Sequence, residues 1–159
     1  MTIGSNVVVK SSFLSNLVGL SQRTIIVTRA PGAEIIIGDN VGISGATIYA
    51  RKGIYIGDNT CVGGGVKLLD NDFHPVEVEK RNALLFGTAP ETGERTDWID
   101  TKPIHIGENC FIGTNAIILK GTELGDGCVV GAGAVVSGKF PPNSVIVGNP
   151  GKVIKTLVQ

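Results

Sequence analysis

Aliphatic residues recur every six positions through one long stretch of this chain. Ile106, Ile112, Ile118, Leu124, Val130 and Val136 keep unbroken register between Ile106 and Pro141, and Gly107, Gly113, Gly125 and Gly131 directly follow four of them. Around an α-helix a step of six turns the side chain by about 600°, so the marked residues would share no face. A single strand would put them all on one side but would be far longer than globular strands are. The pattern therefore predicts short straight segments joined at corners. Three hexads make a triangular turn, each aliphatic side chain points into the prism, and turn stacks on turn as a parallel β-helix.

A looser form of the register precedes it, with Ile37, Ile43 and Ile48 or Tyr49 followed by Ile56, Val62 and Leu68. Ile37 to Ile56 is one residue longer than a full turn, which predicts a bulged corner near Ala50 to Gly53. Between Ile3 and Thr24 the aliphatics, such as Val7, Val8 and Leu17, are scattered, and irregular starting coils are expected. Counting six from Leu68 lands on His74, the one polar residue at a predicted core position.

After His74 and Pro75 the segment from Val76 to Lys102 carries Glu77, Glu79, Lys80, Arg81, Glu91, Glu94, Arg95, Asp97 and Asp100. Such charges cannot lie inside a prism, so this segment is expected to leave the solenoid as an excursion over about 75–103 before Ile104 and Ile106 resume it. Phe86, Trp98 and Ile99 give that loop apolar residues with which to dock; Trp98 either covers a cleft or anchors the loop. The expected whole is one all-β domain, 1–159, with the excursion and a C-terminal cap or tail at 142–159.

Composition narrows the function classes. Fourteen Lys plus Arg balance fourteen Asp plus Glu, which gives no basic face for nucleic acid. Twenty-three Gly with aromatics at 5% suit tight corners and a narrow interior. Met1 to Lys10 lacks the basic region and apolar run of a secretory signal, and no stretch is apolar for long enough to span a bilayer, so no membrane association and a cytoplasmic location are expected. Cys110 and Cys128 occupy equivalent hexad places one turn apart and are expected to be stacked, buried, reduced thiols; Cys61 should lean outward. No zinc spacing is present, and two His are too few for a three-histidine carbonic anhydrase site, so no metal is expected.

Imidazole is the side chain suited to exchanging protons at physiological pH, and His74 is the best candidate general base in the chain. Asp70 or Asp72 would hold its second ring nitrogen, as a triad aspartate does. The competing reading is that His74 merely ends a coil and that both carboxylates are solvated at a turn. His105, just before Ile106, is expected on the surface.

Three features together resemble the hexapeptide-repeat O-acetyltransferases, most of all the sugar and polysaccharide branch that includes maltose and galactoside acetyltransferases. They are the hexads, the Asp-x-Asp-Phe-His-Pro run ending at His74 and Pro75, and the tail from Phe140 through Gly148-Asn149-Pro150 to Ile154. The similarity covers about Glu34 to Lys155. It implies a left-handed β-helix, a homotrimer, and acetyl-coenzyme A in a groove between adjacent subunits. By the same resemblance, His74 is the base that deprotonates the acceptor hydroxyl, and Phe111 stands where relatives often have a Trp. Thr114, Ala132 and Ser137 match contacts to the pantetheine arm, and Lys152 and Lys155 match basic positions near the nucleotide. Ordinary corner chemistry and a solvated tail remain the competing accounts of those residues.

On the acceptor side the chain departs from the family pattern. It has Ser44 where the sugar enzymes carry an Asn, and it lacks the N-terminal helical segment of the maltose enzymes, so the excursion, with Trp98, is expected to shape the acceptor pocket. The function implied is acetyl-coenzyme A-dependent O-acetylation of a small-molecule or oligosaccharide acceptor, a carbohydrate hydroxyl in surface polysaccharide synthesis. Alternatives are the same fold acting on an amino sugar, serine or an antibiotic, or a non-catalytic trimeric scaffold.

Overall fold

The computed structural model describes residues 1–89 and 98–158. The chain winds in turns of three short strands. The first turn holds β1 (Thr2–Ile3), β2 (Val8–Lys10) and β3 (Ile25–Thr28), and the second β4 (Glu34–Ile37), β5 (Gly42–Ser44) and β6 (Thr47–Ala50). The third holds β7 (Gly53–Ile56), β8 (Cys61–Val62) and β9 (Lys67–Leu69). The chain then leaves the solenoid, forms the helix α1 (Val78–Leu85), and returns as β10 (Ile104–Ile106), β11 (Phe111–Ile112) and β12 (Ile117–Leu119). A fifth turn of β13 (Glu123–Leu124), β14 (Val129–Val130) and β15 (Val135–Val136) leads to β16 (Lys139–Phe140) and β17 (Ser144–Val147). Finally β18 (Lys152–Thr156) folds back antiparallel on β17, so the expected C-terminal tail is partly a further turn and partly a hairpin.

Each strand before β18 pairs in parallel with its counterpart one turn away, which makes three sheets, the faces of a prism. Face A runs β1-β4-β7-β10-β13-β16, face B runs β2-β5-β8-β11-β14-β17 with β18 at its edge, and face C runs β3-β6-β9-β12-β15. Ile106 lies opposite Leu124, Ile112 opposite Val130 and Ile118 opposite Val136, the register that the hexads predict. These six, with Ile37, Ile43, Ile48, Ile56, Val62 and Leu68, are at most 3% exposed. Small residues stand two places before many of them: Thr60, Cys110, Cys128 and Ser144 at the A/B edge, and Ala46, Ala116 and Ala134 at the B/C edge, all buried. A narrow corner has room for little more. Both core thiols are free; Cys110 donates to the Gly125 carbonyl at 3.4 Å and Cys128 to that of Pro141 at 3.2 Å.

Glycine follows the aliphatic residue at the A/B and B/C edges because the stacked turns touch there. A Cβ on Gly113 would stand 2.6 Å from the Ala132 nitrogen, and one on Gly57 would stand 2.6 Å from the Gly107 carbonyl carbon. At the C/A edge Leu119 and Ser137 follow instead, and there the excursion departs.

Ile43 pairs with Val62 but Ile48 pairs with Leu68, so the corner between β5 and β6 is one residue short while that between β6 and β7 is two long. This places the predicted bulge at Arg51 and Lys52. The enlarged corner is filled by Asp70, fully buried, whose carboxylate accepts the amides of Arg51 at 2.8 Å, Lys52 at 2.7 Å and Gly53 at 2.8 Å.

Two expectations about the excursion change. It contains a short helix, within a fold otherwise built of strands as expected; Val78–Leu85 is rich in helix formers and buries no residue, so local propensity carries it. Phe86 does not dock, being 72% exposed, whereas Ile99 is buried and Trp98 half-buried. The charges expected at Glu91, Glu94, Arg95 and Asp97 lie outside the described residues. Upstream, Ser11 to Thr24 bulges from the first turn, which carries the irregular start expected there. Leu20 is buried, while Leu14 and Leu17 are fully or nearly fully exposed.

Candidate active site

His74 owes its position to the neck of the excursion. Asn71 bridges Thr101 in antiparallel fashion, the Asp72 amide donates to the Asp100 carbonyl at 3.2 Å, and the Lys102 amide donates to that of Asp70 at 2.9 Å. On the outgoing limb the Phe73 amide donates to the Asn71 side chain at 2.9 Å, and the His74 amide donates to the Asp72 carbonyl at 2.7 Å. Between them Phe73 has φ +62°, a left-handed conformation costly for a residue with a bulky Cβ substituent, and its ring lies 4.9 Å from that of Tyr49. Downstream, Pro75 is buried, and Arg81 of α1 donates to the carbonyls of Pro75 and Val76 at 3.2 and 2.8 Å. A turn pinned on both sides thus presents one exposed imidazole.

That geometry corrects three readings. His74 is not a core residue: the chain turns outward at Phe73, and Ile104 and Ile106 of β10 fill the places opposite Ile54 and Ile56. Asp70 does not orient the His74 ring, because its oxygens already accept the three corner amides and the Asn71 side chain at 3.1 Å. Asp72 does not orient it either; its carboxylate accepts from Lys120 at 2.7 Å. Lys120, at the end of β12 in the next turn, also bonds Asp100 on the returning limb. Those bonds, the one to Lys120 foremost, hold Asp100 below the usual carboxylate range. Burial works against the Lys120 ammonium, but the bonds to Asp100 and Asp72 outweigh it and raise it above its ordinary value. Lys120 and Arg81 escape a sequence reading, since no spacing rule links a lysine to an aspartate 48 residues away.

The remaining candidates fall into groups. Ser44 and Phe111 line one groove on face B, about 260 Å³, together with Val8, Lys10, Ile43 and Cys61. Thr114 and Ala132 follow each other at successive B/C corners, linked by the Gly133 amide donating to the Thr114 carbonyl at 2.9 Å. Next to them a Cβ on Gly133 would meet nothing within 4 Å, so this strip is open. Lys152 and Lys155 are exposed on β18, at the edge of face B. Ser137 is exposed on the C/A edge, the edge that carries the neck, and the half-buried Trp98 lies at the neck's return. The C/A edge of a triangular prism is opposite face B. One chain therefore joins Ser44 with Phe111 but keeps His74 on the other side.

Among the described residues no cluster of three His, Cys, Asp or Glu could hold a metal, and no helix is long and apolar enough to cross a membrane. The family profile described as the hexapeptide repeat of succinyl-transferase matches residues 103–137. A Dictyostelium discoideum protein whose name reads "Putative acetyltransferase" is 40% identical over 136 residues, 80% of this chain and 63% of that protein. A galactoside acetyltransferase solved in complex with coenzyme A superposes with a TM-score of 0.71 at 29% identity, over 98% of this chain and 64% of that one. The matched segment of this chain is built of hexapeptide repeats. A maltose O-acetyltransferase of Clostridium difficile is similar too, with a TM-score of 0.63 and 25% identity over 100% of this chain and 68% of that one. The solenoid of this hexapeptide-repeat protein is accordingly the left-handed parallel β-helix. The chain spans less than two thirds of the Dictyostelium relative and of the galactoside enzyme.

Proposed function

We propose that this hexapeptide-repeat protein is an acetyl-coenzyme A-dependent O-acetyltransferase that modifies a carbohydrate hydroxyl, acting in the cytoplasm on a precursor of a surface polysaccharide. The observation that carries the reading is the pinned neck, which holds one exposed imidazole on a chain similar to sugar O-acetyltransferases along nearly its whole length. The residues present fit the acyl donor. Thr114, Ala132 and the open Gly133 corner form a strip of small residues along which a thin chain can lie, and Lys152 and Lys155 on β18 supply positive charge for phosphates.

Bound acetyl-coenzyme A supplies the activated acyl group. His74 takes the proton of the acceptor hydroxyl as that oxygen attacks the thioester carbonyl, and returns it to the departing sulfur. Ser44 donates to the developing oxyanion from the groove wall, a contact worth about 3 kcal/mol of barrier. Because His74 and that groove lie on opposite sides of one chain, the site is completed by a second copy in a trimer. Val8 and Phe111, each about half exposed beside the groove on face B, give the second copy apolar surface to cover.

His74→Ala is expected to lower acetyl transfer by about 10² to 10⁴ while acetyl-coenzyme A binding by calorimetry is retained. Absence of coenzyme binding by the intact protein would remove the enzyme reading altogether.

A further inference from the structure

The turn that presents His74 depends on a side chain from another turn of the solenoid. Asp72 stands on the outgoing limb of the neck and Asp100 on the returning limb, and the Lys120 ammonium bonds both. Without a cation between them, two carboxylates would face each other across the neck. They would strain the pairing of the Asp72 amide with the Asp100 carbonyl and the Asn71–Thr101 bridge beside it. Lys102 does not replace Lys120: its ammonium is 4.0 Å from Asp100, its side chain is 63% exposed, and it makes no ion pair with Asp72. The Lys120 side chain is only 23% exposed, so solvent screens its pairs less.

We propose that Lys120 is a positioning residue for His74, holding the two limbs of the neck together so that the imidazole stands at a fixed place and angle. This rests on the reading of His74 as general base. The chain of contacts is short. Lys120 holds the Asp72 side chain, the Asp72 carbonyl accepts the His74 amide at 2.7 Å, and Phe73 between them keeps its left-handed conformation because both flanks are tied down. A base displaced by about 1 Å loses on the order of 10²-fold in rate, so the clamp acts on turnover rather than on donor binding.

The test uses Lys120→Met, Lys120→Arg and Asp100→Asn in the full chain, each first compared with wild type for circular dichroism and melting. Lys120→Met is expected to lower kcat by roughly ten- to a hundredfold with KM for acetyl-coenzyme A within about twofold. Lys120→Arg should recover most of kcat, and Asp100→Asn should fall between. The second readout is the imidazole NMR signals. The chain has two histidines, and His105, stacked on Tyr55 at 4.6 Å, serves as the internal reference. In Lys120→Met the His74 signals should shift or broaden while those of His105 stay.

A folded Lys120→Met with wild-type kcat, or one that loses kcat with unchanged His74 signals, overturns the proposal. If Lys120→Met does not fold, Asp100→Asn decides by the same two readouts. Failure of the base reading looks different: His74→Ala would then keep its activity whatever the Lys120 variants do.

Discussion

Asp70 and His74 stand four places apart and read alike as candidates for proton chemistry, yet their surroundings are opposite. Asp70 is fully buried and takes up the amides of an enlarged corner, while His74 is exposed on a turn pinned from both sides. Hexad counting finds the place where chemistry enters but misjudges the direction of the side chain, because a count of six assumes that the backbone continues straight past Leu69. The Phe73 conformation ends that assumption. Cys110 and Cys128 are legible, since a small residue one place before the strand at a narrow corner has nowhere to point but inward. Burial pushes the Cys110 thiol up to about 11 from an ordinary value near 9. An unfolded chain loses that proton around pH 9 while the native one keeps it until about 11, so stability is present below pH 9 and lost as pH rises through that window. Urea unfolding at pH 8 and pH 10.5 should show a loss of at most about 1.4 kcal/mol per pH unit from this group. The difference between wild type and Cys110→Ala at the two pH values isolates it; equal slopes would contradict the burial argument.

At the scale of elements the strands are set by stacking more than by propensity. Segments of two to four residues make nearly all of them, too short to persist alone, and those inside each sheet are held by partners above and below. Glycine permits that approach. At Gly57 the neighbours of an added Cβ are backbone atoms, the Gly107 carbonyl carbon and the Glu108 nitrogen at 2.6 and 2.7 Å, which cannot swing aside. Gly57→Ala should therefore lower stability by about 1–3 kcal/mol, read from thermal or urea unfolding. Glu108→Ala, an exposed change on the same edge, should stay within about 0.5 kcal/mol. Equal melting of the two variants would show that the edge can open. The excursion is the counterexample: its helix buries nothing, so the hydrophobic pattern that locates the later turns of the solenoid has no signal to offer there.

At the scale of the molecule His74 lies across the prism from the Ser44 and Phe111 groove. Sedimentation should give a trimer. Refolding His74→Ala chains together with Phe111→Arg chains, each inactive alone, should restore activity, since a mixed trimer contains sites with an intact base from one copy and an open groove from another. A fully active monomer, or no recovery in mixed assemblies, would rule out a site between copies. The sequence by itself determined the solenoid, its register, its buried aliphatics and the point of departure of the excursion, because a six-residue period is a local repeat that any three turns must satisfy. Only the tertiary structure decided that Asp70 fills a corner, that Asp72 belongs to Lys120, and that His74 faces outward. Those outcomes depend on contacts between turns far apart in the chain, where no periodicity connects the partners.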